Sequence, residues 1–434
     1  MFSIESSQQN WRNWSGSEKA NNITMYFPKN ENEISDVIKL ANSVKKKIRV
    51  IGGSHSFSPI AKSEEFIVSM KYLTGIISIN KIEYTANVYA GTILKDLNLA
   101  LDREGFAIEN LGDVDKQSIS GAISTGTHGT GAGLKNLASL VTEIDLIDGL
   151  GQFHTLTETD GDRFQAAVLS LGLFGIITKL KLKIVPSYFL KLSVKKITLT
   201  NCLENFTLYN QNFRNFEFFW VPHTDYVQAK FSNLSVEKPQ NMYVKKIIDY
   251  LFENLGLYFF QVLTFLFKKH TSIICKMMTH FITNVEQTTS SFQSYITTRI
   301  VKFHEMEYAF PVEKFPFIMN EIKNHYIKAT IPISFPVEVR FQKGDDALLS
   351  VAHKTDSVYF AIHQFHLFQY KDFFMKLEKT FKDYGGKPHW GKLQFLGPQY
   401  LKKIHPRIND FTIMRRRFDP NNIFLNKYLY EIFF

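Results

Sequence analysis

Glu338 and Arg340 stand two residues apart in the alternating stretch "FPVEVRF", so on a strand both side chains leave the same face. A carboxylate can orient a hydroxyl there, and the neighbouring guanidinium can steady negative charge growing on its oxygen. An ordinary ion pair on a sheet surface has the same spacing, so the two residues alone leave both readings open. "GGKPHWGK" adds His389 and Lys392 around Trp390, an aromatic expected to pack. His363, in "AIHQFH", falls on an expected strand of the same sheet. His55 stands in "IRVIGGSHSFSPIA", where a β-branched run breaks into two glycines and a serine.

That turn is one of two glycine-rich loops. The other, "LGDVDKQSISGAISTGTHGTGAG" over residues 111–133, alternates glycine with serine and threonine around His128 and reads as loop throughout. Small residues let backbone N–H groups converge on an anion, and Ser54, Ser56, Thr127 and Thr130 add hydroxyls, which suits a pyrophosphate. Neither loop is a Walker A, and "GTHGTGAG" has its glycines in the wrong order for a Rossmann fingerprint. Two such loops in one domain point to a dinucleotide of another type.

The surrounding elements must hold these loops. Ile34, Val37, Ile38 and Ala41 at helical spacing predict a helix over 31–47, and "KIRVIGG" predicts a strand that delivers His55. A strand "FIVSM", an alternating stretch from Gly75 to Gly91 and a helix from Ile93 to Glu104 precede the second loop. After it, "LVTEIDLI" and "QFHTLT" pair through "DGLG", followed by a helix "RFQAAVLSLG" and a strand "GIITKLKLKIV". This mixture is α+β rather than a strict βαβ alternation.

With 434 residues, 44% of them apolar, the chain can bury a large core, and two domains fit better than one. Forty phenylalanines suggest thick packed interfaces or contact with a flat apolar partner such as a flavin or a lipid surface. The net charge of +10 is scattered, and no nucleic-acid-binding module accompanies it, so nucleic acid is not an expected partner. Cys202 and Cys275 support neither a disulfide framework nor a thiolate metal site, and no metal is expected. No secretory signal is recognisable, so a cytoplasmic or peripherally membrane-associated location is expected. Residues 247–267, "IIDYLFENLGLYFFQVLTFLF", are nearly long enough to span a bilayer, but Asp249, Glu253, Asn254, Gln261 and Thr264 form one polar stripe between flanking lysines. Two readings stay open, a helix largely buried in the protein and a helix lying in a membrane interface.

"VIGGSHSFSPIA", "SISGAISTGTHGTG", "FPVEVRFQKGDDALLS", "GGKPHWGK" and "FDPNNIFLNKYL" occur in the order found in the L-gulono-1,4-lactone and D-arabinono-1,4-lactone oxidase family, and the chain resembles that family over nearly its whole length. The resemblance implies a two-domain FAD-binding fold of the vanillyl-alcohol-oxidase type: an FAD-binding domain over 1–187, a substrate domain with an antiparallel sheet over 188–400, and residues 401–434 returning to the first. It implies FAD joined covalently through His55. Cofactor contacts would come from Val50, Ile51, Gly52, Gly53, Ser54, Ser56, Gly112, Gly121, Ala122, Thr125, Gly126, Thr127, Gly129, Thr130, Gly131, Gly175, Ile177 and His389. Glu338, Arg340 and Lys392 would be catalytic, and His363 would be a substrate contact. The implied reaction oxidises a sugar lactone at C2 and reduces O2 to hydrogen peroxide, with peripheral membrane contact through 247–267. Alanine at 122 favours a lactone over an open-chain polyol, and glycine at 112 favours an oxidase over a dehydrogenase.

Overall fold

The computed structural model describes residues 4–239, 251–297, 299 and 301–434. Three larger sheets organise them, beside a two-stranded pairing of Val185–Pro186 with Phe106–Ala107. Ser6–Arg12, Lys19–Tyr26, Phe66–Ser69 and Ile48–Ile51 form a small mixed sheet in that spatial order, with the last two strands parallel. An antiparallel sheet follows in the order Ile76–Asn80, Thr85–Tyr89, Ile176–Lys183, Val141–Ile147, Phe153–Thr157. The helix Glu31–Ser43 buries Ile34, Val37, Ile38 and Ala41, the stripe its spacing predicts, and Asn30 caps it by accepting from the Glu33 N–H. The helix Leu94–Arg103 likewise falls inside its expected range and stops before Gly105, whose φ of 81° lies in the left-handed region.

The second half is built on an eight-stranded antiparallel sheet. Its order is Val285–Ser290, Phe189–Thr198, Tyr226–Ser235, Asn215–Trp220, Val337–Gln342, Ser357–Phe365, Phe303–Pro311, Lys387–Pro388. The strand Val337–Gln342 pairs Glu338 with Ala361 and Arg340 with Tyr359, so the expectation that His363 shares a sheet with Glu338 holds. The helices Leu199–Asn212, Phe315–Ile327 and Lys371–Asp383 bring apolar faces to this sheet's core, where Phe216, Phe218, Phe315, Phe341, Phe360 and Phe381 pack together. Much of the phenylalanine content is spent there.

The C-terminal helices Pro398–Ile404, Ile408–Phe418 and Lys427–Phe433 leave this sheet and join the apolar core built from residues 26–184. Asp419 accepts from the Ile423 and Phe424 N–H groups, and the buried Arg49 donates to the Phe424 carbonyl at 2.6 Å, so the chain's end braces the strand that carries the His55 turn.

Candidate active site

The strand Ile48–Ile51 ends in a turn that the backbone enforces. Gly52 and Gly53 press against the second loop so closely that an added Cβ would lie 1.9 Å from Ser118 Oγ or 2.0 Å from the Lys116 carbonyl oxygen. Ser54 adopts a left-handed φ of 56° and is held there by Trp11 Nε1, which donates to Ser54 Oγ at 3.0 Å, and by the Trp14 N–H, which donates to Ser54 O at 2.8 Å. His55 is thereby presented beside Trp14, ring centroids 5.8 Å apart. Burial, reinforced by the Lys392 cation, pushes its imidazole down to about 4, so it is neutral near pH 7.

The second loop is not all loop. Ser118 accepts from the Gly121 N–H and starts a helix, Ile119–Ser124, correcting the expectation that 111–133 is irregular throughout. Serine and threonine at cap positions allow this short turn despite the glycine content. Between the two loops lies a cleft partly open to solvent. Val50, Gly52, Gly53, Ser54, His55, Ser56, Gly121, Thr125, Gly175 and Ile177 line it, as the sequence suggests, and so do Trp11, Arg49, Gln117, Ser118, Ser120 and Ser124, which it does not. Ile51 instead packs toward Trp11, and the Ala122 methyl points into the apolar core.

The remaining residues of that loop stitch it to the large sheet. The Gly131 N–H donates to Phe341 O at 2.7 Å, Asn215 Nδ2 to Thr130 O at 2.6 Å, and Thr130 Oγ1 to Phe216 O at 2.5 Å. Gly126 continues into Thr127, which accepts from Gln117 Nε2 at 3.2 Å. An added Cβ at Gly129 would meet Leu111 O at 2.3 Å, so the loop packs without side chains there. The result sets His128 face to face with Tyr359 at 3.8 Å, each imidazole nitrogen facing an oxygen: Nδ1 at 2.9 Å from Gly129 O and Nε2 at 3.1 Å from Glu307 Oε1.

Beside His128 lies a buried, densely charged pocket. Arg340 pairs with Glu338 through Nη2, with Glu217 through Nε at 3.1 Å and with Asp113 at 3.5 Å. Arg299 pairs with Asp113 and lies 3.6 Å from Glu338. Burial raises the Asp113 carboxyl, but the two guanidiniums more than offset this and hold it far below the usual range. Glu338 moves the other way: burial, with Asp113 and Glu217 nearby, outweighs its arginines and raises it. Lys392 Nζ is 2.5 Å from Glu305 and 3.9 Å from Glu307, and His363 Nε2 is 3.5 Å from Glu305. Burial would lower the lysine, yet these carboxylates raise it. His389 is pushed down to about 4 by burial, and its Nδ1 accepts from the Gly391 N–H. Trp390 packs, as expected, with Nε1 donating to Leu349 O.

Two hydrogen bonds tie the cleft's wall to the pocket. The Phe57 N–H donates to Gly391 O at 2.7 Å and Ser58 Oγ to Trp390 O at 2.8 Å, tying the His55 turn to the segment that carries Lys392. Within the second loop, a methyl added at Gly112 would come 3.0 Å from His128 O. Sequence patterns alone do not reveal Asp113, Glu217, Arg299, Glu305, Glu307 or the role of His128. Only Glu305 and Glu307 carry a readable signal, two carboxylates alternating on the apolar strand "FHEMEYAF". The ligand atoms of His128, Glu307 and His389 also lie within 4.8 Å of one another, a grouping that no motif announces.

A flavin dinucleotide fits this cleft on three counts: the glycine turns leave backbone at its wall, serine and threonine hydroxyls face it, and the buried Arg49 Nε on its wall has no partner among the described residues. Solved structures with the same architecture give the class. Cholesterol oxidase from B. sterolicum superposes with a TM-score of 0.81 at 15% identity, covering 99% of this chain and 97% of that one. Chitooligosaccharide oxidase does so with 0.71 at 11%, covering 98% and 96%. The fold is that of the vanillyl-alcohol-oxidase type of FAD-binding proteins.

Residues 24–157 match the FAD binding domain model, and residues 180–432 match the D-arabinono-1,4-lactone oxidase model. The chain is similar to L-gulono-1,4-lactone dehydrogenase of Mycobacterium tuberculosis, 31% identical over 96% of this chain and 97% of that protein, and to L-gulonolactone oxidase of Mus musculus, 29% identical over 98% of each. It belongs to this family of FAD-dependent aldonolactone oxidoreductases.

Proposed function

We propose that the protein oxidises the C2 secondary alcohol of a neutral sugar-1,4-lactone of the gulono-, galactono- or arabinono- type to the ketone, with O2 reduced to hydrogen peroxide. The observation that carries this reading is the buried Glu338–Arg340 pair, beside a Lys392 segment that is hydrogen-bonded through Gly391 and Trp390 to the turn lining the glycine-rich cleft. FAD bound in the cleft supplies the acceptor for a hydride. Glu338 accepts a hydrogen bond from the substrate hydroxyl and orients it. Arg340, with Arg299 behind it, favours negative charge on that oxygen as the hydride leaves. Lys392, held charged by Glu305 and Glu307, contacts a second substrate oxygen, and His363 borders the same pocket. His55, neutral and at the cleft wall, has the lone pair needed for a covalent bond to the cofactor. Glycine at 112 supports the oxidase reading by resemblance to the lactone oxidases.

A dehydrogenase using another acceptor is the second reading, favoured by the name of the Mycobacterium tuberculosis relative. Purified yellow protein is offered a panel of lactones alongside xylitol and sorbitol, and peroxide and dye reduction are followed together. Peroxide formed with lactones in step with oxygen consumption supports the oxidase; dye reduction with negligible oxygen uptake overturns it, and turnover confined to the polyols overturns the lactone assignment. Acid denaturation separately tests His55: flavin fluorescence should stay with the wild-type chain and leave the His55→Ala chain.

A further inference from the structure

Two segments leave the large sheet for opposite surroundings. In the aromatic one, residues 240–250, including Asp249, lie outside the described residues, as do the side chains of 251–253. From Leu251 the chain makes a wide helical turn to Gly256 and then the helix Leu257–Leu266. Its polar stripe, Asn254, Gln261 and Thr264, is buried, whereas Leu255, Tyr258, Phe259 and Leu266 are exposed, so it is half-buried rather than largely buried. No helix among the described residues is long and apolar enough to cross a membrane. The C-terminal segment turns inward instead. Residues 422–426 run beside the strand Ile48–Ile51 and reach past the His55 turn. The Ile48 N–H donates to Ile423 O at 2.8 Å, Lys47 Nζ to Asn422 O at 2.8 Å, and Asn426 Nδ2 to Pro59 O at 2.9 Å and Lys62 O at 2.8 Å.

Arg49 joins that segment to the cleft. Its Nη1 donates to Phe424 O at 2.6 Å and to Gly172 O at 3.2 Å, and its Nη2 donates to Leu171 O at 2.7 Å. Leu171, a non-glycine residue at a left-handed φ of 56°, is held in that strained conformation partly by this bond. All three acceptors are neutral carbonyls. Among the described residues no carboxylate comes into ion-pair contact with the guanidinium; Asp419 accepts from the Ile423 and Phe424 N–H groups and lies 3.5 Å from Arg415 Nη1 instead. Arg49 is only 4% exposed, and burial pushes its pKa down to about 10, Asp419 offsetting part of the fall, so it stays charged at pH 7. A buried cation with neutral partners is costly, and one on the wall of a cleft is stabilised by an anion held there. The dinucleotide that this cleft suits carries such an anion in its pyrophosphate. We propose that Arg49 couples cofactor retention to docking of the C-terminal segment: ligand phosphate in the cleft and the Phe424 carbonyl share one guanidinium, and each binds more tightly when the other is in place. The coupling rests on the reading of the cleft as a flavin-dinucleotide site. Without the phosphate, parting of 422–426 from the strand is the simplest way for the guanidinium to reach water.

The test uses the full chain with His55→Ala, in which flavin exchanges freely whether or not the wild type holds it covalently. Hydrogen exchange at the Ile48, Ile423 and Phe424 amides is followed with FAD, with ADP, which carries a pyrophosphate and no flavin ring, or with riboflavin, which carries the ring and no phosphate. FAD and ADP slow exchange at these amides by about tenfold or more, and riboflavin does not. In the same background Arg49→Met binds FAD about tenfold to a hundredfold more weakly, and FAD no longer slows exchange. Asn426→Ala loosens the segment without lining the cleft, and by reciprocity it weakens FAD binding by about fivefold or more. An arginine that only braces the fold leaves exchange in the parent chain the same with and without FAD. That result overturns the proposal, as do equal protection by riboflavin and FAD binding by either variant at the parent's affinity. The comparison of the three ligands needs only the parent chain, so it decides the matter even if Arg49→Met does not fold. A wild-type chain that binds no flavin overturns the cofactor reading and this proposal with it; flavin bound without protection of the three amides overturns the coupling alone.

Discussion

Lys392 owes its charge to Glu305, and Glu305→Gln should reveal this in the pH profile. The ammonium is largely buried, and burial alone would lower its pKa; the Glu305 carboxylate at 2.5 Å, helped by Glu307 at 3.9 Å, reverses the direction. At an effective dielectric of about 20 the closer pair interacts by on the order of 7 kcal/mol, which corresponds to an upper bound of about 10⁵ in the lysine's protonation equilibrium. Glu307 remains in the variant, so about a hundredfold of that effect should be felt. If the protonated lysine is the form that contacts substrate, wild-type kcat/KM holds through alkaline pH. The Glu305→Gln enzyme loses activity at a lower pH than the wild type as pH rises, because its lysine's pKa has fallen. Steady-state kinetics from pH 6 to 10 with a saturating acceptor measure this, and Lys392→Met serves as the reference for lost activity without a new limb. A Glu305→Gln profile parallel to the wild type would refute the reasoning and show that Glu307 alone holds the charge.

Asp113→Asn should cost about 3–5 kcal/mol at pH 7, since it leaves Arg299 and Arg340 short of a buried counter-charge. Because the folded carboxyl lies below its unfolded value, its contribution is complete above about pH 4 and declines as pH falls, so the difference in urea denaturation should narrow by about 1 kcal/mol at pH 3; an unchanged gap contradicts the assignment. Gly53→Ala places a methyl against the Lys116 carbonyl, and absorbance should show loss of bound flavin, whereas full occupancy would mean the two loops can part. Glu338→Gln keeps the volume but not the charge, and kcat/KM should drop by about 10²–10⁴ with KM less affected; a change in KM alone would make Glu338 a binding group only.

Several features are legible in the amino-acid sequence itself. The glycines of 52–53 and 121–131 and the two-residue spacing of Glu338 and Arg340 state backbone conformation and strand face directly, because both are local properties of the chain. The helices 31–43 and 94–103 are readable for the same reason, while the short helix 119–124 is hidden by the glycines around it.

Partners are not legible. Asp113, Arg299 and Arg340 come from three separate segments, and no periodicity links them; the eight-stranded order, which sets Val337–Gln342 between Asn215–Trp220 and Ser357–Phe365, brings Glu217 to the guanidinium, and the loop 111–133 packed on that sheet brings Asp113. The aromatic segment makes the same point, since its sequence determines that one side is apolar and the other polar, but not which side the protein keeps. Sequence determines what a residue can offer and the face of its own element on which it stands. Long-range packing decides what stands opposite, and with it whether a carboxylate is held charged or neutral and whether an apolar stripe becomes core or surface, because desolvation and Coulomb energy depend on neighbours that the chain supplies from hundreds of residues away.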